Sequence, residues 1–267
     1  MKIKALLLFG IIVLFGGIIS TRLMSKPKAG AKSSDLTIIL RGKVKLELKK
    51  IPSGNFLMGS PEDELGRFAD ETQHHVTLTQ DYWLGTYEVT QAQWRAVMGN
   101  NPSKFPKGGD YPVENVSWKD AKAFCERLNN ASSIQRPAGY CFDLPTEAQW
   151  EYACRAGTTT ALNNGEDLTT QQGFCPNLDK VGWYGRNSIA HIHPVGQKQP
   201  NAWGLYDMHG NVQEWCRDWY GLYQGDATDP QGPASGLYKV YRGGNWGGIC
   251  AVLLLLDPQG LQYAGGS

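Results

Sequence analysis

The sequence has no dominant charge, no closely spaced metal-binding motif and no repeat. Lys and Arg together number 26 and Asp and Glu 25, which leaves a formal net charge of +1. Because a basic excess is the electrostatic footprint of nucleic-acid binding, we expect no nucleic-acid partner. Cys and His nowhere stand at the spacings of structural zinc sites, which excludes the zinc-ribbon and zinc-finger classes. The lack of an internal repeat and of sustained heptads excludes solenoids and long coiled coils.

Long hydrophobic runs are also missing, apart from one near the amino terminus. Lys2 and Lys4 precede an apolar run from Ala5 to Ile19. A helix of that length spans about 22 Å, short of the ~30 Å hydrocarbon core of a bilayer. We interpret residues 1–22 as a signal peptide or short signal anchor, which predicts an extracytoplasmic protein, periplasmic or membrane-anchored. If uncleaved, this segment is the membrane contact, and residues 23–45 form a tether and a leading strand.

Six Cys are present, at positions 125, 141, 154, 175, 216 and 250. Export would place them in an oxidising compartment, where disulfides can persist. Spacing alone does not choose among the many possible pairings, so the connectivity stays open.

Glycine and aromatic residues are abundant, with 32 Gly, 9 Trp and 12 Tyr. The segment from Trp203 to Tyr220 is especially rich in both and shows neither helical nor strand periodicity. Gly204 and Gly210 suit turns that a side chain would block. A coil with so many rings becomes ordered only by packing against a large surface. We therefore expect a loop-rich globular domain.

Short strands are predicted in the first third of the chain. Apolar and charged residues alternate from Leu36 to Leu48, as in one half-buried strand. Residues 51–60 read as strand, turn and strand, and residues 75–79 alternate again.

Helices are predicted after three capping residues, Thr90, Ser117 and Thr146. The third helix is expected to stop at Gly157, because glycine readily adopts the left-handed conformation that ends helices. Beyond Gly157 we expect little regular structure until a strand within residues 238–246. These short strands and helices with long aromatic loops are compatible with an α+β fold but do not select it.

Six blocks of the sequence carry a family signature. They are IPSGNFLMGS (51–60), YEVTQAQW (87–94), PVENVSWKDAKAFC (112–125), LPTEAQWEYACRAGT (144–158), HPVGQKQPNAWGLYDMHGNVQEWCRDWY (193–220) and YRGGNW (241–246). In this order they resemble the sulfatase-modifying-factor family, also called the formylglycine-generating-enzyme (FGE-sulfatase) type domain. The resemblance covers about residues 46–246.

This resemblance implies a single compact α+β domain over residues 46–248, related to C-type lectin folds. It would have much irregular loop, few short strands and two or three helices. The founding enzymes of the family oxidise a substrate Cys to formylglycine, using oxygen, a copper ion and a pair of Cys near the carboxyl terminus. Other branches are iron-dependent sulfoxide synthases, structural lipoproteins and ligand-display proteins with variable carboxyl termini.

The Cys pair of the oxidases is not found at the matching positions. The first Cys would follow the aromatic residue of the Gly-Gly block by two positions, where this chain has Gly248. The second would fall near Val252 or Leu253, and Cys250 is out of register. Because Cu(I) needs thiolates held together, we assign no catalytic residue and expect no copper.

Two further groups could carry chemistry but favour structural roles. His191 and His193 would face one side of a strand and could hold iron, yet they lie in a Gly/Asn/Pro loop, so we expect no iron. Glu147 and Glu151 lie one helical turn apart and could act as an acid–base pair. We interpret them as a charge at the helix start and a buried ion-pair partner.

Structural calcium is the metal that the resemblance does favour. One implied site is the neighbourhood of Asn177 and Leu178, although the acidic partners expected after it are absent. The other consists of Asn211, the carbonyl of Val212 and Glu214, an oxygen set that calcium prefers. The alternative is that Asn211 caps a turn and Glu214 pairs with an Arg, such as Arg217 or Arg242.

The tail, residues 249–267, does not resemble the family's carboxyl-terminal strand. Codons ATA TGC GCG GTA TTG CTN would encode Ile249 to Leu254, and reading one base later gives Tyr-Ala-Arg-Tyr-Cys, a family sequence. We therefore predict a frameshift near codon 248, with a divergent tail as the alternative. In the family, Cys of the missing strand pair with positions resembling Cys125 and Cys154. Without that strand we expect marginal or failed folding.

The sequence thus predicts an exported member of this family without the oxidase Cys pair, which binds a protein or small-molecule ligand or acts structurally at the cell envelope. Two alternatives remain open. One is a formylglycine-generating or related metal-dependent oxidase with a truncated carboxyl terminus. The other is a ligand-display protein of a diversity-generating system. Whether the chain is an enzyme stays open.

Overall fold

A computed structural model describes residues 34–248 and the backbone of residues 262–263. The predictions for the signal segment, for residues 23–33 of the tether and for the tail as a whole lie outside these residues. Within the described range, every helix is too short or too polar to span a bilayer.

The described elements are short and mixed, which confirms the α+β class. The helices are α1 (Gln91–Met98), α2 (Trp118–Asn130), α3 (Glu147–Arg155) and α4 (Pro176–Asp179). The strands are β1 (Leu36–Ile39), β2 (Lys45–Ile51), β3 (Gly54–Met58), β4 (His74–Leu78), β5 (Tyr82–Gly85), β6 (Gly182–Trp183), β7 (His209–Gly210), β8 (Glu214–Trp219), β9 (Ala227–Thr228), β10 (Tyr238–Arg242) and β11 (Gln262–Tyr263).

The single strand predicted from Leu36 to Leu48 is wrong. The chain reverses at a 3-10 turn, Arg41–Lys43, and β1 pairs antiparallel with β2. Gly42 has a φ of 73° there, a conformation that glycine adopts without steric cost. Alternation continues on both sides of the turn, so periodicity alone did not show the break.

Three small sheets hold the strands. Their orders are β1-β2-β5, β3-β4-β9 and β11-β10-β8, and β6 pairs separately with β7. In the described part of the chain, β5 pairs with β2 alone and β8 with β10 alone. Each of these two strands therefore has one edge without a strand partner there.

The three predicted caps are confirmed. Thr90, Ser117 and Thr146 each accept a hydrogen bond from the backbone N–H three residues later, and the third residue's side chain accepts from the cap's own N–H. These reciprocal bonds satisfy N–H groups that a helix start otherwise leaves free. Helix α3 ends one residue before the prediction, because Ala156 already has a left-handed φ of 46°.

The prediction of little regular structure after Gly157 is wrong for one important stretch. Residues Glu214–Trp219 form β8, which pairs antiparallel with β10. Its interior residues Cys216 and Asp218 are buried while Trp215, Arg217 and Trp219 are half-buried, so the strand is covered on both faces. A strand with two covered faces does not alternate cleanly between polar and apolar residues, so β8 could not be recognised from the sequence pattern.

Buried residues form separate clusters around these sheets. The largest packs α3, with Trp150 fully buried, against residues of β3, β4, β8 and β10. A second joins β1 and β2 to α1 and α2, where Trp94 and Phe124 stack with centroids 5.3 Å apart. A third surrounds Tyr184. The aromatic-rich coil is thus held by packing, as its composition predicted.

Candidate functional site

Asn211 joins three segments of the chain at the turn between β7 and β8. It is fully buried and has a left-handed φ of 58°, which Asn tolerates better than most residues. Its Oδ1 accepts from the N–H of His193 at 3.0 Å. Its Nδ2 donates to Glu88 Oε2 at 2.8 Å and to the His193 carbonyl at 3.1 Å. The amide oxygen therefore already has a donor.

Two buried carboxyl groups, those of Glu88 and Asp207, and the half-buried carboxyl of Glu214 lie at the same turn. Glu88 Oε1 accepts from the N–H of Val212 at 2.8 Å, and Glu214 Oε2 accepts from Trp150 Nε1 at 3.2 Å. Asp207 Oδ2 accepts from the N–H of Gly196 at 2.7 Å. The other oxygen of Asp207, Oδ1, is buried and has no hydrogen-bond partner among the described residues.

Desolvation raises the pKa of each of these three carboxyl groups. It raises the pKa of Asp207 to about 6, although the bond from Gly196 opposes this. It raises the pKa of Glu214 to about 7, and the charge of Asp207 adds to the effect. The pKa of Glu88 lies well above its usual range, because of burial first and then the charges of Asp207 and Glu214. No Lys or Arg is among the groups that shift these three pKa values.

The chemistry of this turn fits an oxygen-seeking cation in part. The unbonded Asp207 oxygen and the lack of a basic partner suit calcium, which binds carboxylate and carbonyl oxygens. However, no three His, Cys, Asp or Glu side chains of the described residues group as a metal site. A cation here would use Asp207, Glu214 and backbone carbonyls such as that of Val212, with Asn211 as a positioning residue.

Sequence reasoning missed Glu88 and Asp207. Asp207 stands only four residues before Asn211, inside the same block, and a carboxylate at that spacing was an available signal. Glu88 is more than one hundred residues away along the chain, and no local pattern links it to Asn211.

Asn177 and Leu178 lie in α4. Asn177 Nδ2 donates to the Asp167 carbonyl at 2.9 Å, and the Leu178 side chain is fully buried. The neighbouring acid, Asp179, accepts from Asn187 and forms an ion pair with Lys198. The Asn177 amide, the Leu178 side chain and the Asp179 carboxylate therefore all have protein contacts already.

The two His and the two Glu have structural contacts. His193 stacks on Trp183 with ring centroids 3.7 Å apart, and its Nε2 lies 2.9 Å from the Ser188 carbonyl, whereas His191 is exposed. Glu147 and Glu151 face the fully buried Arg242, and Glu151 also bonds Arg155 at 2.9 Å. The predicted buried ion-pair role is confirmed for Glu151 and extends to Glu147.

Gly248, which the family resemblance aligns with the first Cys of the oxidases, has a backbone contact in the structure. The Gly185 N–H donates to the Gly248 carbonyl at 2.9 Å, and the Trp246 N–H to the Asn211 carbonyl at 2.9 Å. The five described Cys form no disulfide, and Cys141 alone among them is exposed. Cys250 lies outside the described residues.

An apolar cavity of about 290 Å³ opens beside the turn at Asn211. We call it the bay. Its walls come from β1, β2 and β5, from α2, from residues 136–145 and from residues 212–215. It contains no predicted site residue except Val212 and Glu214, at one end.

Comparison with known proteins identifies the family. The model of the sulfatase-modifying factor enzyme 1-like domain matches residues 46–255. A Paenibacillus barcinonensis protein named chaperone protein LppX is 34% identical over 213 residues, which cover 64% of this chain and 71% of that one. The formylglycine-generating enzyme of Streptomyces coelicolor is 34% identical over 177 residues, 62% of this chain and 50% of the enzyme.

Solved structures agree. Treponema denticola variable protein 1 superposes with a TM-score of 0.71 at 32% identity, covering 85% of this chain and 92% of that one. PvdO from Pseudomonas aeruginosa gives 0.69 at 26%, covering 84% and 91%. Since the family model spans most of the sequence and the fold is shared with these proteins, the chain belongs to the sulfatase-modifying-factor, or formylglycine-generating-enzyme type, family.

Proposed function

We propose that this chain is an exported, non-oxidising member of its family that binds a protein or small-molecule ligand at the cell envelope. The proposal rests on Gly248, which the family resemblance aligns with the first Cys of the oxidases and whose carbonyl accepts from the Gly185 N–H. A copper(I) centre needs two thiolates held together, and one displaced Cys250 cannot supply both. The names of the Paenibacillus chaperone and the Treponema variable protein are consistent with a binding role.

A direct assay separates binding from oxidation. The full chain, a Cys-containing sulfatase-type peptide, copper and oxygen are incubated, and aldehyde is measured by mass spectrometry. The Streptomyces coelicolor enzyme is the positive control. We expect aldehyde from that enzyme alone, and its formation by this chain would disprove the non-oxidising role.

The oxidase remains the second candidate, because relatives named formylglycine-generating enzyme are 31% to 34% identical. It predicts that any aldehyde formation depends on Cys250. The Cys250→Ser variant would then lose activity, while Cys141→Ser, at an exposed position, would keep it. Equal activity of both variants would rule out thiol chemistry at residue 250.

Export is part of the proposal. Residues 1–33 fused to alkaline phosphatase, which is active only outside the cytoplasm, test it. We expect activity from the fusion and none when Ala5–Ile19 is deleted. Activity that is the same with and without the apolar run would refute export by this segment. Whether the fusion stays in membranes reports cleavage.

Structural calcium at the Asn211 turn is the cofactor that we propose. Calcium there would neutralise Asp207 and Glu214, whose pKa values are shifted by no Lys or Arg of the described residues. We expect the melting temperature of the full chain to rise with calcium, and Asp207→Asn to remove most of that rise. Asp226→Asn, which changes an exposed carboxylate elsewhere, should keep it. An equal response of both variants would refute the site.

A further inference from the structure

The acidic loop, residues 60–71, contains two buried carboxyl oxygens that no hydrogen-bond donor reaches. Glu71 is fully buried, and Glu64 is half-buried. The Oε1 atom of each is buried and has no hydrogen-bond partner among the described residues. Because a buried carboxyl oxygen without a partner is costly, a native fold supplies it with a donor, a water or a cation.

The hydroxyl of Ser60 joins these two carboxyl groups. It donates to Glu71 Oε2, and it also hydrogen-bonds the carboxyl of Glu64. The Ser60 N–H donates to the Glu71 carbonyl at 3.0 Å, which holds the first and last residues of the loop together. The three side chains therefore form one oxygen cluster, and the half-buried Glu64 gives it a route to solvent.

The buried charges around this cluster do not balance. The two acids of α3 are already paired with Arg155 and Arg242. Arg155 acts electrostatically on Glu64, and Arg242 on Glu71, but neither acid of the loop forms an ion pair within the described range. Four carboxyl groups thus share two guanidinium groups, which leaves the network short of positive charge.

The nearby cations are directed elsewhere. Arg155 donates from all three of its nitrogens to an acid of α3 and to two backbone carbonyls. Arg67 donates its Nε–H to a backbone carbonyl of the loop at 3.1 Å and has no ion pair with a described acid. Asp167 adds another negative charge near Glu64.

We propose that Glu64, Glu71 and Ser60 bind a hydrated magnesium ion. Each side chain supplies an oxygen, and water entering beside Glu64 completes the octahedral shell that magnesium requires. Magnesium suits the cluster better than calcium, because it keeps several waters and needs one or two carboxylates, whereas no three acidic side chains of the described residues group as a metal site. Its double charge also offsets the shortfall in the buried network. This inference is independent of the proposed ligand-binding role and of calcium at the Asn211 turn.

The test counts bound manganese, which replaces magnesium at oxygen sites. The full chain at pH 8 is titrated with Mn²⁺, and the free ion is measured by electron paramagnetic resonance. We expect a bound ion that excess magnesium displaces and that the Asp207→Asn variant retains. A chelator should return Glu64 to its cation-free state, in which burial raises its pKa to about 7.

Two variants and a matched control locate the ion. Glu71→Gln should lose it, and Glu64→Gln should bind it at least about tenfold more weakly, because each removes a charged ligand. Glu62→Gln, which changes an exposed acid of the same loop, should bind it as the parent does. Because Glu64 is half-buried, Glu64→Gln stays informative if Glu71→Gln fails to fold. Equal affinity of Glu64→Gln and Glu62→Gln would overturn the site.

Two further outcomes would also overturn it. Loss of the ion from Asp207→Asn, with Glu64→Gln unaffected, would assign manganese to the Asn211 turn. A parent chain that binds no manganese would show that protons or water satisfy Glu64 and Glu71. Neither result bears on aldehyde formation, so the non-oxidising role is tested separately.

Discussion

At the scale of single residues, Arg242 has the largest predicted effect on stability. It is fully buried and bonds Glu147 and Tyr223, with Glu151 3.5 Å away. Breaking a buried ion pair by removing one partner costs about 3–5 kcal/mol, because the other charge stays buried and unpaired. We expect Arg242→Met to lower the free energy of unfolding by that amount at pH 7, as measured by urea denaturation.

The matched control is Lys180→Met, which breaks the exposed pair between Lys180 and Glu166. Exposed pairs contribute about 1 kcal/mol or less, so this variant should stay near the parent. Losses of similar size in both variants would contradict the structural role of Arg242.

The raised pKa of Glu64 predicts that the free energy of unfolding depends on pH. Partial burial raises its pKa to about 7, and its Oε1 has no partner among the described residues. A carboxyl whose pKa is raised on folding stabilises the fold below its unfolded pKa, and that contribution disappears as pH rises through the folded value. Glu64→Gln should therefore unfold at higher urea than the parent at pH 8, by about 1 kcal/mol after solvent screening, and equally at pH 4.

Glu62→Gln is the control for that measurement, because Glu62 is exposed on the same loop. It should leave the pH dependence of stability unchanged. A parent chain whose stability increases from pH 5 to pH 8, with no difference between the two variants, would show that Glu64 is ionised throughout.

Residues were predictable when their partners were close in sequence. The ion-pair role of Glu151 was predicted, and one partner, Arg155, lies four residues later, whereas Arg242, the partner shared with Glu147, is more than ninety residues away. Glu88 reaches Asn211 across a similar distance and was not foreseen. Local periodicity places a side chain on a face, whereas the fold decides which distant groups meet there.

At the scale of elements, local chemistry fixed the helices and long-range packing fixed the strands. Helix starts follow from side chains within three residues, so the caps of α1, α2 and α3 were correctly predicted. Strand β8 exists because β10 pairs with it, and the aromatic run gave no sign of that partner. Propensity and periodicity cannot show pairing between segments that lie far apart.

Because β6 and β7 lie close together, adding one methyl group at Gly210 should lower the stability of the fold strongly. Gly210 has a φ of 88°, and a Cβ there would contact the Trp183 carbonyl at 1.9 Å. Gly210→Ala should therefore separate the two strands and lower the free energy of unfolding by about 3 kcal/mol or more. Overpacking and left-handed backbone strain together cost about this much.

Gly225→Ala is its control, because Gly225 has a similar φ of 90° and open space around it. It should cost about 1 kcal/mol, the strain alone. Thermal melting of both variants compares them directly. Equal losses would mean that backbone conformation, and not the close approach of Trp183, requires glycine at residue 210.

At the scale of the whole molecule, small separate sheets depend on side-chain networks to stay together. Arg242 of β10 bonds α3, Trp118 Nε1 donates to the Cys216 carbonyl, and Glu88 bonds the turn before β8. The family resemblance correctly predicted this architecture, while composition and periodicity did not distinguish it from other α+β folds.

The reactivity of the buried thiols measures the free energy needed to open the fold. Cys125, Cys154 and Cys216 are buried, and burial raises the pKa of each, that of Cys125 to about 12. They should react with a maleimide only when the fold opens, all at one rate, while the exposed Cys141 reacts at once.

Peptide mass spectrometry measures the reaction rate of each thiol. The ratio of that rate to the rate in the denatured chain gives the free energy of opening. Because the sequence predicts that the tail does not supply the family's carboxyl-terminal strand, we expect less than about 5 kcal/mol, the lower limit for ordinary domains. A larger value would contradict marginal folding, and three unequal rates would show that the sheets open separately.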